Sequence, residues 1–264
     1  MIANVQLPQW LDDLIFKQLG AKYCRSNANM TVIDWDRNDI LNYLGTYFPR
    51  SYAEAYCIFT EFFKNHLARY ANETELSLFD FGCGTGGEII GMLDSLRGNV
   101  SCIKTVYITA LDGNHSALRI LERIADEYNS KFDIDISIRP LPLTIDDFYD
   151  MKILDKVLSE NFDIFMTFKA ICEFVTKDRF EQDNAYAHII KTFIPKLKDN
   201  GIMVLADVST YSDVSKEWLP KMMDEGIRQA GVLIQARNEN FNQQFLVTHS
   251  HRVNDVSKIA WRII

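Results

Sequence analysis

LSLFDFGCGTGGEIIGML, residues 76–93, decides how this chain is read. Its first six residues form a short apolar run of the kind a buried strand needs, and GEIIGML behind the glycines has helical spacing. In between, Gly82, Gly84 and Gly87 satisfy G-x-G-x-x-G, while Gly82, Gly84 and Gly86 satisfy G-x-G-x-G. So many glycines mean that the backbone turns sharply and that something approaches it closely. They do not name the ligand.

Outward from this stretch, strand and helix patterns alternate. TVYITALD (105–112) is a second strand and HSALRILERIADEY its helix. FDIDISIRPLPL is a third strand, followed by the helix DDFYDMKILDKVL. FDIFMTF (162–168) is a fourth, followed by a long helix over 180–201 that closes at Asn200-Gly201. GIMVLADV is a fifth strand, with SKEWLPKMMDEGIRQAG as its helix. Regular alternation predicts a parallel sheet wrapped by helices, with ligands at the carboxyl ends of the strands. The end differs: FNQQFLVTHSHRV and VSKIAWRII are two extended runs with Asn254-Asp255 as the turn between them. Adjacent strands without a helix make a hairpin, so one must run antiparallel to the rest.

The first 75 residues read as a helical extension, and 76–264 as the ligand-binding domain. LPQWLDDLIFKQL has helical spacing; the stretch from Tyr23 to Trp35 is polar and irregular. In SYAEAYCIFTEFFKNHLARY, Ser51 and Glu54 have capping-box spacing, and Tyr56, Phe59, Phe63 and Leu67 fall on one face. Pro49 before that cap predicts a chain entering the helix extended.

The chain has 264 residues, enough for a substantial core, and its 47% hydrophobic and 24% charged residues are those of a globular protein. The net charge of −8 gives no general attraction to nucleic acid or anionic membranes. The five cysteines are widely spaced, without a C-x-x-C pair, which predicts reduced thiols in a cytoplasmic protein. No signal peptide and no membrane-length apolar run are expected.

Charge narrows the ligand. A dinucleotide places a pyrophosphate on such a loop. Here Asp80 ends the strand, Glu88 opens the helix, and no Lys or Arg lies between Leu76 and Asp94. S-adenosylmethionine, with an ammonium and a sulfonium, suits these acids better. Asp112, 30 residues after Gly82, is placed to accept hydrogen bonds from both ribose hydroxyls, and Gly113 leaves room beside it.

These residues carry a resemblance. FDFGCGTGGEII resembles motif I of the class I S-adenosylmethionine-dependent methyltransferases, ALDGN their acidic motif II, and LKDNGIMVLAD the entry to their fifth strand. The terminal hairpin resembles their sixth and seventh strands. The resemblance covers residues 74–264 and implies an α/β fold: a Rossmann-like, seven-stranded, mostly parallel sheet with a C-terminal antiparallel hairpin and an N-terminal helical extension. It implies that Asp80, Gly82, Gly84 and Gly86 line the methionyl part of S-adenosyl-L-methionine and that Asp112 binds the ribose. Thr144 and Ile145 fall at the adenine positions, although the family often has an acid where Thr144 stands; Asp146 is the fallback. Thr167 and Phe168 face the cofactor near its methyl. Arg50, before the aromatic helix, is a candidate partner for the methionyl carboxylate, with Tyr47 packing on the ligand.

The catalytic half is less legible. TFKAICEF holds Lys169, Cys172 and Glu173, but lacks the tetrad that holds a base's exocyclic amine and the Pro-Cys context of cytosine enzymes. Cys172 therefore reads as a structural thiol, and Glu173 either as a base or as a solvent-facing residue. His249 and His251 alternate on a strand without a third ligand, and His115 is a helix-start residue; no metal is expected. The expected activity is methyl transfer to a small molecule or protein side chain. An RNA methyltransferase and a non-catalytic cofactor-binding subunit serving a partner are the alternatives.

Overall fold

A computed structural model describes residues 4–24, 36–175 and 184–264. The expected irregular stretch between Tyr23 and Trp35 lies mostly outside them. The described elements are, in chain order, β1 (Asn4–Gln6), α1 (Gln9–Asp12) running into a π-helical turn (Asp13–Gln18), α2 (Arg37–Asn65), α3 (Leu67–Tyr70), β2 (Glu75–Phe81) and α4 (Gly87–Asn99). β3 (Thr105–Asp112), α5 (His115–Lys131), β4 (Asp135–Pro142), α6 (Lys152–Val157), β5 (Phe162–Phe168), α7 (Ile171–Val175) and α8 (Ala185–Phe193) follow. After a 3-10 turn (Ile194–Lys196) come β6 (Leu197–Val208), β7 (Tyr211–Ser212), β8 (Glu217–Trp218), α9 (Leu219–Ala230), β9 (Ala236–Arg237), β10 (Gln243–His249) and β11 (Arg252–Ile263).

The fold is α/β, with a mostly parallel sheet and antiparallel C-terminal strands. Among the described residues nine strands belong to the principal sheet rather than seven, because the short β1 and β9 are added to its C-terminal side. Neither shows in the sequence: strands of three and two residues are too short to display a period.

The chain falls into two compact units. The second comprises Leu76–Gly82, Ile145–Gln243 and Lys258–Ile264. In it β2 pairs in parallel with β5, β5 with β6, and β11 runs antiparallel to β6. β2 and β5 are neighbours although β3 and β4 separate them in sequence, so the strand order reverses there, which is where doubly wound sheets bind ligands. Its core is aromatic: Phe79, Phe81 and Phe165 each pack on Phe193 of α8. Helix α8 ends at Phe193, not at Asn200-Gly201. Pro195 sits in the turn that follows, and β6 begins at Leu197, with a register shift absorbing residues 198–201. The buried Arg262 is held by both carboxylate oxygens of Asp224 (2.6 and 3.0 Å) and by Asn238 Oδ1 (2.7 Å).

The first unit comprises Met1–Glu75, Cys83–Thr144 and Gln244–Ser257. β3 and β4 pair in parallel, as do β1 and β10. Helix α2 starts much earlier than the sequence implies. Its capping box is Asp36 with Asp39, and it runs unbroken through Pro49; Ser51 and Glu54 are buried within it. The expected cap at Ser51 is therefore wrong: the side chains of Phe48, Phe59, Phe62 and Phe63 are all buried and hold the helix together across the proline. Helices α2 and α4 pack very closely. A side chain on Gly87 would lie 2.5 Å from the Phe48 carbonyl oxygen, and one on Gly91 would collide with the Tyr52 carbonyl oxygen. Beneath them Asp94 accepts from the hydroxyls of Tyr52 (2.7 Å) and Tyr128 (3.0 Å).

The hairpin turn also differs from expectation. It falls at Ser250-His251, and β11 continues through Asn254, which takes a positive φ of 50° inside the strand. Asp12 fixes the true turn by accepting from Ser250 N (2.9 Å) and Oγ (3.1 Å). Next to the turn, His249 is buried, and neither ring nitrogen has a hydrogen-bond partner among the described residues. Phe16 stacks on it at 5.0 Å and on His251 at 4.4 Å, and Tyr23 lies 5.5 Å from it. Burial holds the His249 imidazole below its ordinary 6.5; Asp255 and Asp12 oppose this, and His251 and Arg50 reinforce it. The folded state thus binds fewer protons here than the unfolded chain, and stability is lost as pH falls through 6.5. Urea midpoints measured against pH should fall less steeply for His249→Phe than for the parent. Parallel curves would show that the imidazole does not titrate this way.

Candidate cofactor-binding site

All three loop glycines adopt positive φ: Gly82 (76°), Gly84 (50°) and Gly86 (78°). In the first unit the loop is bolted to the end of β3. Cys83 N donates to the Leu111 carbonyl oxygen (3.0 Å), and Gly84 N donates to Asp112 Oδ2 (2.8 Å). The other oxygen of Asp112 accepts from Asn114 N (2.7 Å), and the Asn114 side chain caps α5 through Ser116 N and Ala117 N. Asp112 is 5% exposed. Burial raises its carboxyl above the ordinary 3.8, opposed by the two amides. A carboxylate has about four lone-pair sites, so two hydrogen bonds leave capacity for hydroxyl donors. Gly113 and Thr144 lie close together: a side chain on Gly113 would lie 3.3 Å from Thr144 Oγ1. Thr144 and Asp146 are exposed, and His115 is exposed at the start of α5.

Tyr43 was not anticipated. A side chain on Gly84 would lie 2.6 Å from its hydroxyl, so the glycine makes room for a tyrosine of α2. Burial, then the nearby Glu88 and Asp112 carboxylates, push the enclosed phenol well above its ordinary range. The one signal in the sequence is the spacing of Tyr43 and Tyr47, one helical turn apart, whose rings lie 5.0 Å from each other. Arg50 is already engaged: its Nε and a terminal nitrogen bind both oxygens of the buried Asp255 at 2.8 and 2.9 Å. Its guanidinium also lies 5.9 Å from the Tyr47 ring centre.

In the second unit, Asp80 is fully buried near the end of β2, and Thr167 is 1% exposed near the end of β5. The Thr167 hydroxyl has no hydrogen-bond partner among the described residues. Phe168 is buried beside it, and Ile145 is half-buried. A side chain on Gly82 would collide with Ala170, which brings the turn after β5 against the first loop glycine. That turn is tightly constrained. Lys169 has φ 57°, a left-handed conformation costly for a non-glycine residue, and its amide donates to the Ala206 carbonyl oxygen (2.8 Å). Asp207 accepts from Cys172 N (2.9 Å), the Tyr186 hydroxyl (3.0 Å) and Val208 N (2.8 Å). Burial pushes the Asp207 carboxyl up to about 6. Burial, and next the Asp207 carboxylate, push the Cys172 thiol well above 9.0, so it is a poor nucleophile. Glu173 faces solvent. Among the described residues no cluster of His, Cys, Asp and Glu is arranged to hold a metal ion, and no helix is long and apolar enough to cross a membrane.

A parallel sheet that reverses order at a glycine loop, with antiparallel strands at its end, is the architecture the motif resemblance implies. The fold is that of the class I methyltransferases. No protein-family model and no curated protein matches the chain. Similar solved structures include the rRNA methyltransferase aviRa from Streptomyces viridochromogenes (14% identity, 79% of this chain and 84% of that one, TM-score 0.44). An O-methyltransferase family protein from Burkholderia thailandensis is 11% identical over 86% of this chain and 59% of its own, with TM-score 0.48. The trans-methyltransferase CalH, in complex with SAH, is 10% identical over 84% of this chain and 60% of its own, with TM-score 0.49. The chain thus spans less than two thirds of two of these, and at such distances the likenesses say nothing of substrate or activity.

Proposed function

We propose that this chain binds S-adenosylmethionine and transfers its methyl group to an acceptor, a small molecule or a protein side chain. The observation that carries the reading is the 2.8 Å hydrogen bond from Gly84 N to Asp112 Oδ2, which joins the glycine loop to the acid of the second motif. The residues fit this cofactor by charge: Asp80, Glu88 and Asp112 are all buried, with no Lys or Arg between Leu76 and Asp94. Such surroundings favour an ammonium or sulfonium and oppose a pyrophosphate. The unfilled hydroxyl of Thr167 supplies a further polar contact at a strand end where ligands of this fold sit.

Bound S-adenosylmethionine supplies an electrophilic methyl on a positively charged sulfur. The protein's part is to hold that methyl in line with the acceptor lone pair. Asp112 fixes the ribose. Asp80 and Glu88 stabilise the cationic end. Within the second unit, the constrained turn from Lys169 to Cys172, braced by Asp207, forms a rigid wall beside the first loop glycine. Asp207 already accepts three hydrogen bonds and is buried, so it positions that wall instead of abstracting a proton. Calorimetric titration tests the reading. S-adenosylmethionine and S-adenosylhomocysteine should bind and NAD should not; tight NAD binding, or no binding of either sulfur ligand, would overturn it.

A further inference from the structure

Three large aromatic side chains stand together on the surface of the second unit. Tyr211, Trp218 and Phe241 are 45%, 41% and 43% exposed. The Trp218 ring meets Tyr211 edge-on at 5.6 Å and Phe241 at 5.5 Å. Covering these clustered rings would remove apolar surface from water, which is favourable.

The patch is built, not loose. β7 and β8 pair as a small two-stranded arm, Tyr211 directly opposite Trp218. Leu219 N donates to the Thr210 carbonyl oxygen (2.9 Å), and Ser215 Oγ lies 2.9 Å from Met222 Sδ, tying the arm to the first turns of α9. Lys216, in the turn, holds a left-handed φ of 55°. The arm follows β6 immediately: only Ser209 and Thr210 separate Val208 from Tyr211, so the patch begins within about 11 Å of the carboxyl end of β6. That is the end of the sheet at which the proposed reaction takes place.

Size and charge select the occupant. An aromatic side chain offers about 200 Å², so exposures of 41–45% leave roughly 250 Å² in all. A stable protein partner needs about 800 Å² on each side. Flanking these three residues in sequence, Asp213, Glu217 and Glu239 are matched by Lys216, Lys221 and Arg237, with Lys221 3.5 Å from Glu217 and Arg237 3.2 Å from Asp224. A polyanion would need an excess of cations. A single planar ring system, able to stack on or against these rings, fits both limits.

We infer that Tyr211, Trp218 and Phe241 form a docking platform for a planar aromatic methyl acceptor of small-molecule size. The inference rests on the methyltransferase reading for the word acceptor, but the platform itself is testable alone. The experiment labels the protein with 5-fluorotryptophan, assigns the Trp218 resonance with Trp218→Phe, and titrates with 2-naphthol, with a short oligoadenylate and with a lysine-containing peptide. 2-Naphthol should shift the Trp218 resonance saturably, and the other two should leave it in place. Read by calorimetry, Trp218→Ala and Phe241→Ala should each weaken 2-naphthol at least tenfold, while Trp218→Phe, which keeps an aromatic ring and the fold, should retain most of the affinity. Affinity for S-adenosylmethionine, measured separately on each variant, should stay within twofold. No shift with 2-naphthol, or a shift only with oligoadenylate or peptide, would overturn the platform. Failure of the parent protein to bind S-adenosylmethionine would instead sink the methyltransferase reading and leave the naphthol result standing.

Discussion

Asp112→Ala should weaken S-adenosylmethionine binding at least ~100-fold. Two hydroxyls donating to a buried carboxylate contribute about 1.5–3 kcal/mol each, and each 1.4 kcal/mol is a factor of ten. The same substitution removes the acceptor for Gly84 N and Asn114 N, so the loop loses its tie to β3 as well as its ligand contact. The two losses can be separated. Asp112→Asn keeps an acceptor for one amide but turns an NH2 toward the other, so it should be more stable than Asp112→Ala and less stable than the parent, and affinity compared among folded variants isolates the ligand contact. Calorimetry reads affinity and a thermal melt reads stability. Parent-like affinity in a folded Asp112→Ala protein would remove the residue from the site.

Gly91→Ala should destabilise the fold by about 3 kcal/mol, the upper end of an overpacking penalty, or ~6–12 °C in a chain of this size. The new methyl would strike the carbonyl oxygen of Tyr52, backbone that cannot swing aside. Helix propensity alone predicts the opposite sign, since Ala is favoured over Gly in a helix interior by ~0.5–1 kcal/mol. Gly98 is the internal control. It lies in the same helix, and a side chain there meets nothing within 4 Å, so Gly98→Ala should raise the melting temperature slightly. If both substitutions stabilise, α2 and α4 do not pack as described.

The strands of the sheet, its antiparallel end and the glycine loop were legible because each has a strong local cause. Apolar runs of seven or eight residues ended by glycine or an acid, as in β2 and β3, leave few alternatives. The failures came where tertiary packing overrides local signals. Pro49 is a helix breaker by its own chemistry, but buried aromatics hold α2 on both sides of it. Asn254-Asp255 looks like a turn, but Asp12 recruits Ser250 and sets the turn four residues earlier. At the candidate site, motif spacing singled out Asp112 and Gly84, which the structure joins by a hydrogen bond. It did not single out Tyr43, because its meeting with Gly84 depends on where a distant helix packs. The aromatic arm was missed for the same kind of reason: two-residue strands carry no period, and Phe241 joins Tyr211 and Trp218 only in three dimensions.

Hydrogen exchange read by mass spectrometry, with and without S-adenosylmethionine, tests the central claim most directly. The account predicts new protection confined to peptides covering Asp80–Glu88 and Leu111–Asn114, absent when NAD replaces the cofactor. Protection elsewhere with none in those two segments, or the same protection from NAD, would contradict it.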